Sequence, residues 1–211
     1  MELICFDMDD TLVDADKAHV IAYEKAFKKY GLPKVPDKKL KKMFGRLGKY
    51  IVHELFPKLS WKRINEVMEE NHRVILEESK RFIKPFPGVK TALRKLHKKY
   101  KLAVVSNGRH SEIETILKTS GIDVKLFDVI IGNDEVEHAK PYPDEIFKAE
   151  KILHIKASYM VGDTPYDIIA GKKARVKTIA VLTGNHTRNM LEKEKPDYII
   201  KSVKDLPRTL R

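Results

Sequence analysis

Cysteine occurs once in the 211 residues, at Cys5, and glutamine is absent altogether. A lone cysteine excludes an intrachain disulfide and a cysteine-based zinc site. Its place in the apolar run Leu3-Ile4-Cys5-Phe6 reads as a small core residue rather than a reactive thiol. No apolar run approaches the ~20 residues that a membrane-spanning helix needs. The start, Met1 to Phe6, runs straight into Asp7-Met8-Asp9-Asp10, too short and too acidic for a secretory leader. The expected address is cytoplasmic, with no membrane partner. Internal repeats and low-complexity tracts are also missing. A hydrophobic fraction of 42% excludes a disordered chain, because burial on that scale can offset the entropy of ordering.

Charge is plentiful and lopsided. The formal net charge is +12, and most of the excess lies between residues 15 and 84. Attraction of anions, whether phosphate esters or nucleic acid, is one reading. Thermal adaptation is the other, since abundant Lys and Glu without Gln is a bias expected of hyperthermophile proteins. The basic residues are mixed with acidic ones and lack interleaved aromatics for base stacking, which favours adaptation. No nucleic-acid recognition motif is present.

Short apolar runs recur at Leu3–Phe6, Leu102–Val105, Val129–Ile131, Tyr159–Val161, Thr178–Leu182 and Tyr198–Ile200, and each reads as a buried strand. Helical patterns separate most of them, at Val89–Lys99, Ser111–Thr119, Pro143–Leu153 and Thr164–Lys173. Strands alternating with helices predict an α/β fold, a Rossmann-like three-layer core with a parallel sheet. Ligands bind such sheets beyond the carboxyl ends of the strands. Residues 15–84 break the rhythm with four helical patterns and no convincing strand. They predict an all-helical insert after the first strand, leaving 1–14 and 85–211 as the core. The prolines of Lys84-Pro85-Phe86-Pro87-Gly88 stiffen one crossing, and Gly88 suits a turn before the next helix.

Four segments carry chemistry. Asp7-Met8-Asp9-Asp10-Thr11 places three carboxylates at the end of a buried strand, where they repel one another and resist desolvation. A divalent cation is the simplest compensation, and hard oxygen ligands suit Mg²⁺. One carboxylate can attack phosphorus while another handles protons. Ser106-Asn107-Gly108 ends another strand with a hydroxyl and a turn whose N–H groups can hold phosphate oxygens. Lys140-Pro141-Tyr142-Pro143 puts a cation just before a helix, able to offset carboxylates and phosphate. In Gly162-Asp163-Thr164-Pro165-Tyr166-Asp167 an acid again falls at a strand tip, with a second one helical turn on. Capping of that helix by Asp163 is compatible with metal binding.

Together these segments resemble the haloacid dehalogenase superfamily of phosphohydrolases, in family order along the whole chain. Asp7-x-Asp9-x-Thr11 matches its first motif, Ser106 the second, Lys140 the third and Gly162-Asp163-x-x-x-Asp167 the fourth. Lys84–Val89 and Lys140-Pro141-x-Pro143 look like the subgroup of phosphoglycolate phosphatase and β-phosphoglucomutase, whose cap is a helical insert after the first motif. The resemblance implies that Asp7 forms an aspartyl-phosphate and that Asp9 protonates the leaving oxygen, then activates water. It implies that Ser106 and Lys140 hold the phosphoryl group, with Thr11, Asn107 and Gly108 in the substrate site. Asp7, Asp9 through its carbonyl, and Asp163 would ligate Mg²⁺, supported by Asp167. Asp9 also argues against the dehalogenase branch, which carries no aspartate there. Two departures stand out. Asp10 replaces a frequent glycine, so its side chain must turn away from phosphate, and Ala15 replaces a frequent Ser or Thr.

Within the insert, Phe44-Gly45-Arg46-Leu47-Gly48-Lys49 is the candidate reading loop. Its glycines give freedom, and Arg46 and Lys49 can meet a carboxylate or a second phosphate. A basic surface turn would look the same. His19 matches a cap histidine of some relatives, although a lone histidine near a helix start is more often structural. The expected function is Mg²⁺-dependent hydrolysis of a small phosphorylated metabolite by a monomer or homodimer. A phosphomutase or an inorganic pyrophosphatase on the same scaffold is the alternative.

Overall fold

A computed structural model describes residues 1–210. The chain opens with β1 (Glu2–Phe6) and a short β2 (Val13–Asp14), then four helices follow: α1 (Asp16–Lys29), α2 (Asp37–Lys41), α3 (Gly48–Leu55) and α4 (Trp61–Phe82). It returns through β3 (Lys84–Pro85) to an alternating series: α5 (Val89–Leu96), β4 (Tyr100–Ser106), α6 (His110–Ser120), β5 (Val129–Gly132), α7 (Asp144–Leu153), β6 (Ala157–Gly162), α8 (Pro165–Lys173) and β7 (Lys177–Val181). The series ends with α9 (Arg188–Lys193), β8 (Tyr198–Ile200) and α10 (Leu206–Thr209).

The six longer strands form one parallel sheet in the order β5-β4-β1-β6-β7-β8. Alternation along β1 sends Ile4 and Phe6 into one apolar layer and Leu3 and Cys5 into the other, all four fully buried. Helices α5 and α6 cover the first face, where Leu93, Ile113 and Leu117 pack, while α7 and α8 cover the second through Ile146, Ala149 and Ala170. The close approach of α8 to the sheet requires Gly171, since a Cβ there would lie 2.6 Å from Thr178 Cγ2 and 2.9 Å from Met160 Cβ.

Helices α1–α4 build the all-helical cap after the first strand, with a core of its own around Tyr23, Phe27, Leu40, Ile51, Ile64 and Val67. Two of the helices also serve the main core, because Ala18 and Ala22 of α1 and Val74 and Ile75 of α4 pack with Phe6, Leu93 and Val104. The chain segments that enter and leave the cap are tied together. β2 pairs antiparallel with β3, Val13 opposite Pro85 and Asp14 opposite Lys84. This pair is absent from the strands expected above, because two-residue strands leave no periodicity to read. Helices α9 and α10, which follow β7 and β8, are likewise too short, at six and four residues, to show a helical period in the sequence.

Candidate active site

Neighbouring strands deliver the acids. β4, β1 and β6 lie side by side and end at Ser106, Phe6 and Gly162. Asp7, Ser106 and Asp163 therefore emerge at one edge, although they lie far apart in sequence. The ladder runs one residue past β1, where Asp7 N–H donates to the Val161 carbonyl at 2.8 Å. Ligand oxygens of Asp7, Asp163 and Asp167 all come within 4.8 Å of one another, and all three residues are buried.

Lys140, from the loop after β5, enters this cluster. Its buried ammonium donates to Asp7 Oδ1 at 2.6 Å and to Asp167 Oδ1 at 2.7 Å. One cation thus faces three buried acids. Burial pushes the Asp7 carboxyl up to about 7 against the pull of Lys140, with Asp167 and Asp9 adding to the rise. Asp163 is raised well above the carboxylate range by burial and by the neighbouring Asp10, Asp7 and Asp167. Lys140 is lifted by Asp167 and Asp7 even though burial acts the other way. A hard divalent cation fits this donor set, since it would supply the positive charge that one ammonium leaves lacking.

The supporting contacts are specific. Thr11 is fully buried, and its hydroxyl donates to Asp163 Oδ1 at 2.9 Å. Expected as a substrate contact, it is instead spent on orienting an acid and does not line the cavity described below. Asp163 does not cap α8 either. Thr164 is the N-cap, donating its hydroxyl to Asp167 Oδ2 at 2.6 Å and its N–H to the same oxygen at 3.0 Å. Both Asp167 oxygens are therefore engaged. Asp9 Oδ2 lies 3.3 Å from His19 Nε2, and Asp9 Oδ1 is buried without a partner. His19 is raised to about 9, burial pulling down and Asp9 lifting it more.

A cavity of about 330 Å³ opens over the cluster between core and cap. Asp7, Asp9, Ser106, Asn107, Gly108, Lys140 and Asp163 line it from the core, and His19, Arg46 and Lys49 from the cap. Ser106 Oγ accepts from Gly108 N–H at 3.1 Å, closing the turn. Asn107 Nδ2 bridges to the carbonyls of Gly45 at 2.8 Å and Lys140 at 3.1 Å. Arg46 pairs with Glu54 at 2.7 Å, whereas Lys49 makes no ion pair among the described residues and lies 5.3 Å from the Tyr50 ring centre. Gly45, at φ +89°, lets the cap loop close on the core, since a Cβ would meet Thr164 Cγ2 at 2.5 Å.

Three contributors escaped the sequence reading. The first is Thr183-Gly184-Asn185 after β7. Thr183 Oγ1 donates to the Asp10 carbonyl at 2.6 Å, and Asn185 Nδ2 donates to Asp10 Oδ2 at 3.1 Å and Asp16 Oδ1 at 2.7 Å. These contacts hold Asp10, at φ +56°, turned toward the cap entry. Gly184 must lack a side chain because a Cβ would lie 1.8 Å from Asp163 Oδ2. A strand end followed by Gly-Asn was the available signal. The second is Arg109, directly after the Ser106 turn, which lines the cavity. The third is Glu145 on α7, fully buried with neither side-chain carboxyl oxygen partnered among the described residues.

Residues 4–181 match the haloacid dehalogenase-like hydrolases. The chain belongs to that family. Among curated relatives, "Pyrophosphatase PpaX" of Oceanobacillus iheyensis is 32% identical over 206 residues, covering 96% of this chain and 94% of the relative. The fold is shared with a hydrolase from Pseudomonas syringae (TM-score 0.87, 22% identity, 99% and 97% of the two chains). It is also shared with a structure described as a predicted phosphoglycolate phosphatase from Haemophilus somnus 129PT (TM-score 0.89, 23% identity, 100% and 98% coverage). As a member of this family the chain is an enzyme, a haloacid dehalogenase-like hydrolase. Among the described residues, no helix is long and apolar enough to cross a membrane.

Glu145 gives a pH signature. Burial raises it from 4.5 to about 8, against the pull of Lys140. Because the folded value exceeds the unfolded one, the unfolded chain ionises first and stability drains away between those two pH values. Glu145→Gln removes that loss. Its melting temperature should gain on the parent as pH rises from 4.5 to 8 and the gap should then level off, as thermal melts will test; a gap independent of pH would refute it.

Proposed function

We propose that this chain is a Mg²⁺-dependent phosphatase of small phosphate esters that works through an aspartyl-phosphate on Asp7. The observation that supports it most is the convergence of Asp7, Asp163 and Asp167, two of them paired with Lys140, beneath a cavity that the cap covers. In this reading residues 15–84 form the cap and the remainder the catalytic core.

Asp7 attacks phosphorus, and the bond to the leaving oxygen breaks. Asp9, at the cavity wall, gives that oxygen a proton, then takes one from the water that releases phosphate from Asp7. Its unpartnered Oδ1 leaves an acceptor available for this exchange. Ser106 and Lys140 hold the transferring group, and the Lys140 ammonium steadies Asp7. Asp7, Asp163 and the Asp9 carbonyl would hold Mg²⁺, with Asp167 behind them. Bound there, the metal supplies neutralisation of charge on the phosphoryl oxygens.

Inorganic pyrophosphate is a second reading, favoured by the near full-length likeness to a relative named as a pyrophosphatase and by the unpaired Lys49 in the cap wall. Its leaving group is itself a phosphate and would meet that cation. A phosphomutase would pass the same phosphoryl group to a sugar hydroxyl instead of water.

Three measurements test these readings. Asp7→Asn should lower phosphate release by about 10³-fold or more while circular dichroism stays unchanged; near-normal turnover would exclude the covalent route. Chelation with EDTA should abolish activity and Mg²⁺ restore it, so activity indifferent to chelation would exclude the metal. Lys49→Ala should raise KM for pyrophosphate several-fold more than for a neutral aryl phosphate, roughly what one exposed charge contact is worth. Equal changes would remove Lys49 as the reader of a second phosphate.

A further inference from the structure

Helices α4 of the cap and α6 of the core run in register, with partners 40 residues apart in sequence. Glu69 meets Arg109, His72 Nδ1 lies 3.1 Å from Glu112 Oε2, and Thr119 Oγ1 lies 3.5 Å from Ser79 Oγ. The middle of this rail is apolar and buried, where Val74 and Ile75 join the main core. The end beside the cavity is ionic. There Arg109 grips Glu69 through both guanidinium nitrogens, Nη1 donating to Oε2 at 2.9 Å and Nη2 to Oε1. Such a fork pairing fixes direction as well as distance.

Each partner sits next to something the reaction needs. Arg109 directly follows Ser106-Asn107-Gly108, the turn at the phosphate end of the cavity. Glu69 directly follows Met68, on which the reading loop rests. A Cβ on Gly48 would lie 2.3 Å from Met68 Cε, and Lys49 is the next residue. A parallel link joins Asn107 Nδ2 to the Gly45 carbonyl at the other end of the loop.

We propose that Arg109 is a positioning residue: by holding Glu69 it sets the distance between the phosphate turn of the core and the Arg46–Lys49 loop of the cap, and so selects the length of the leaving group. The rival role for Arg109 is direct contact with the substrate. The two differ in what Glu69 does. A positioning pair loses its effect when either member is neutralised, whereas a substrate contact is freed when Glu69 is removed.

The test is a double-mutant cycle of Glu69→Gln, Arg109→Gln and both together. Each single variant should raise KM roughly threefold, the size expected of a partly exposed ion pair, and the double should be no worse than either. Cap placement is read without turnover. Spin labels on exposed Lys58→Cys and Lys151→Cys, with Cys5 buried and unlabelled, should give one narrow distance in the parent and a broader, longer distribution in all three variants. A silent Glu69→Gln beside a damaging Arg109→Gln, additive losses, or an unchanged distance distribution would overturn the proposal. Because the distance needs no substrate, failure of the phosphatase reading would leave this measurement standing.

Discussion

The Lys140 ammonium is the contact around which the site is organised. It lies buried between Asp7 and Asp167, 2.6 and 2.7 Å from their oxygens. Taking one ammonium out of water costs several kcal/mol unless opposite charges and hydrogen bonds replace the solvent. Two carboxylates do so here, but they bring a third, Asp163, whose only side-chain donor among the described residues is the Thr11 hydroxyl. The cluster is therefore over-supplied with negative charge, and Asp7 and Asp163 resist ionising, as their upward shifts express. A site short of positive charge and rich in hard oxygen donors is suited to a divalent cation beside a phosphate.

That imbalance can be held only by a rigid frame. The strands that carry the acids are the centre of the sheet, with β1 fully buried from Leu3 to Phe6. Side chains such as Thr11, Thr164 and Asn185 spend their hydrogen bonds on orienting acids rather than on a ligand. Gly184 shows how little slack remains, since the space a methyl group would need is taken by the Asp163 carboxylate.

The cap is tied to this frame more firmly than a separate lobe on two linkers would be. Helices α1 and α4 cross from the cap core into the main core, and the strands β2 and β3 pair where the chain enters and leaves. A shift of α4 along α6 would move the cavity wall as a unit. Helix α6 itself begins directly after the Ser106-Asn107-Gly108 turn that follows β4.

The apolar strands, the helices between them and the acids at strand ends were legible because each is local. A buried strand writes itself as a short apolar run, and a charged residue placed directly after one is conspicuous. The sequence also exposed all four motif segments, Lys140 among them, and the helical insert. Sequence alone could not tell that Thr11 faces Asp163 rather than the cavity, nor that Thr164 rather than Asp163 caps α8. Both depend on side-chain direction at the end of a strand. Arg109, Glu69, Glu145 and the Thr183–Asn185 loop were decided only by the tertiary structure. Their roles come from partners 40 or more residues away, or from having no partner in a buried place, and apart from the Gly-Asn that follows a strand at Gly184-Asn185 neither condition leaves a mark on neighbouring residues.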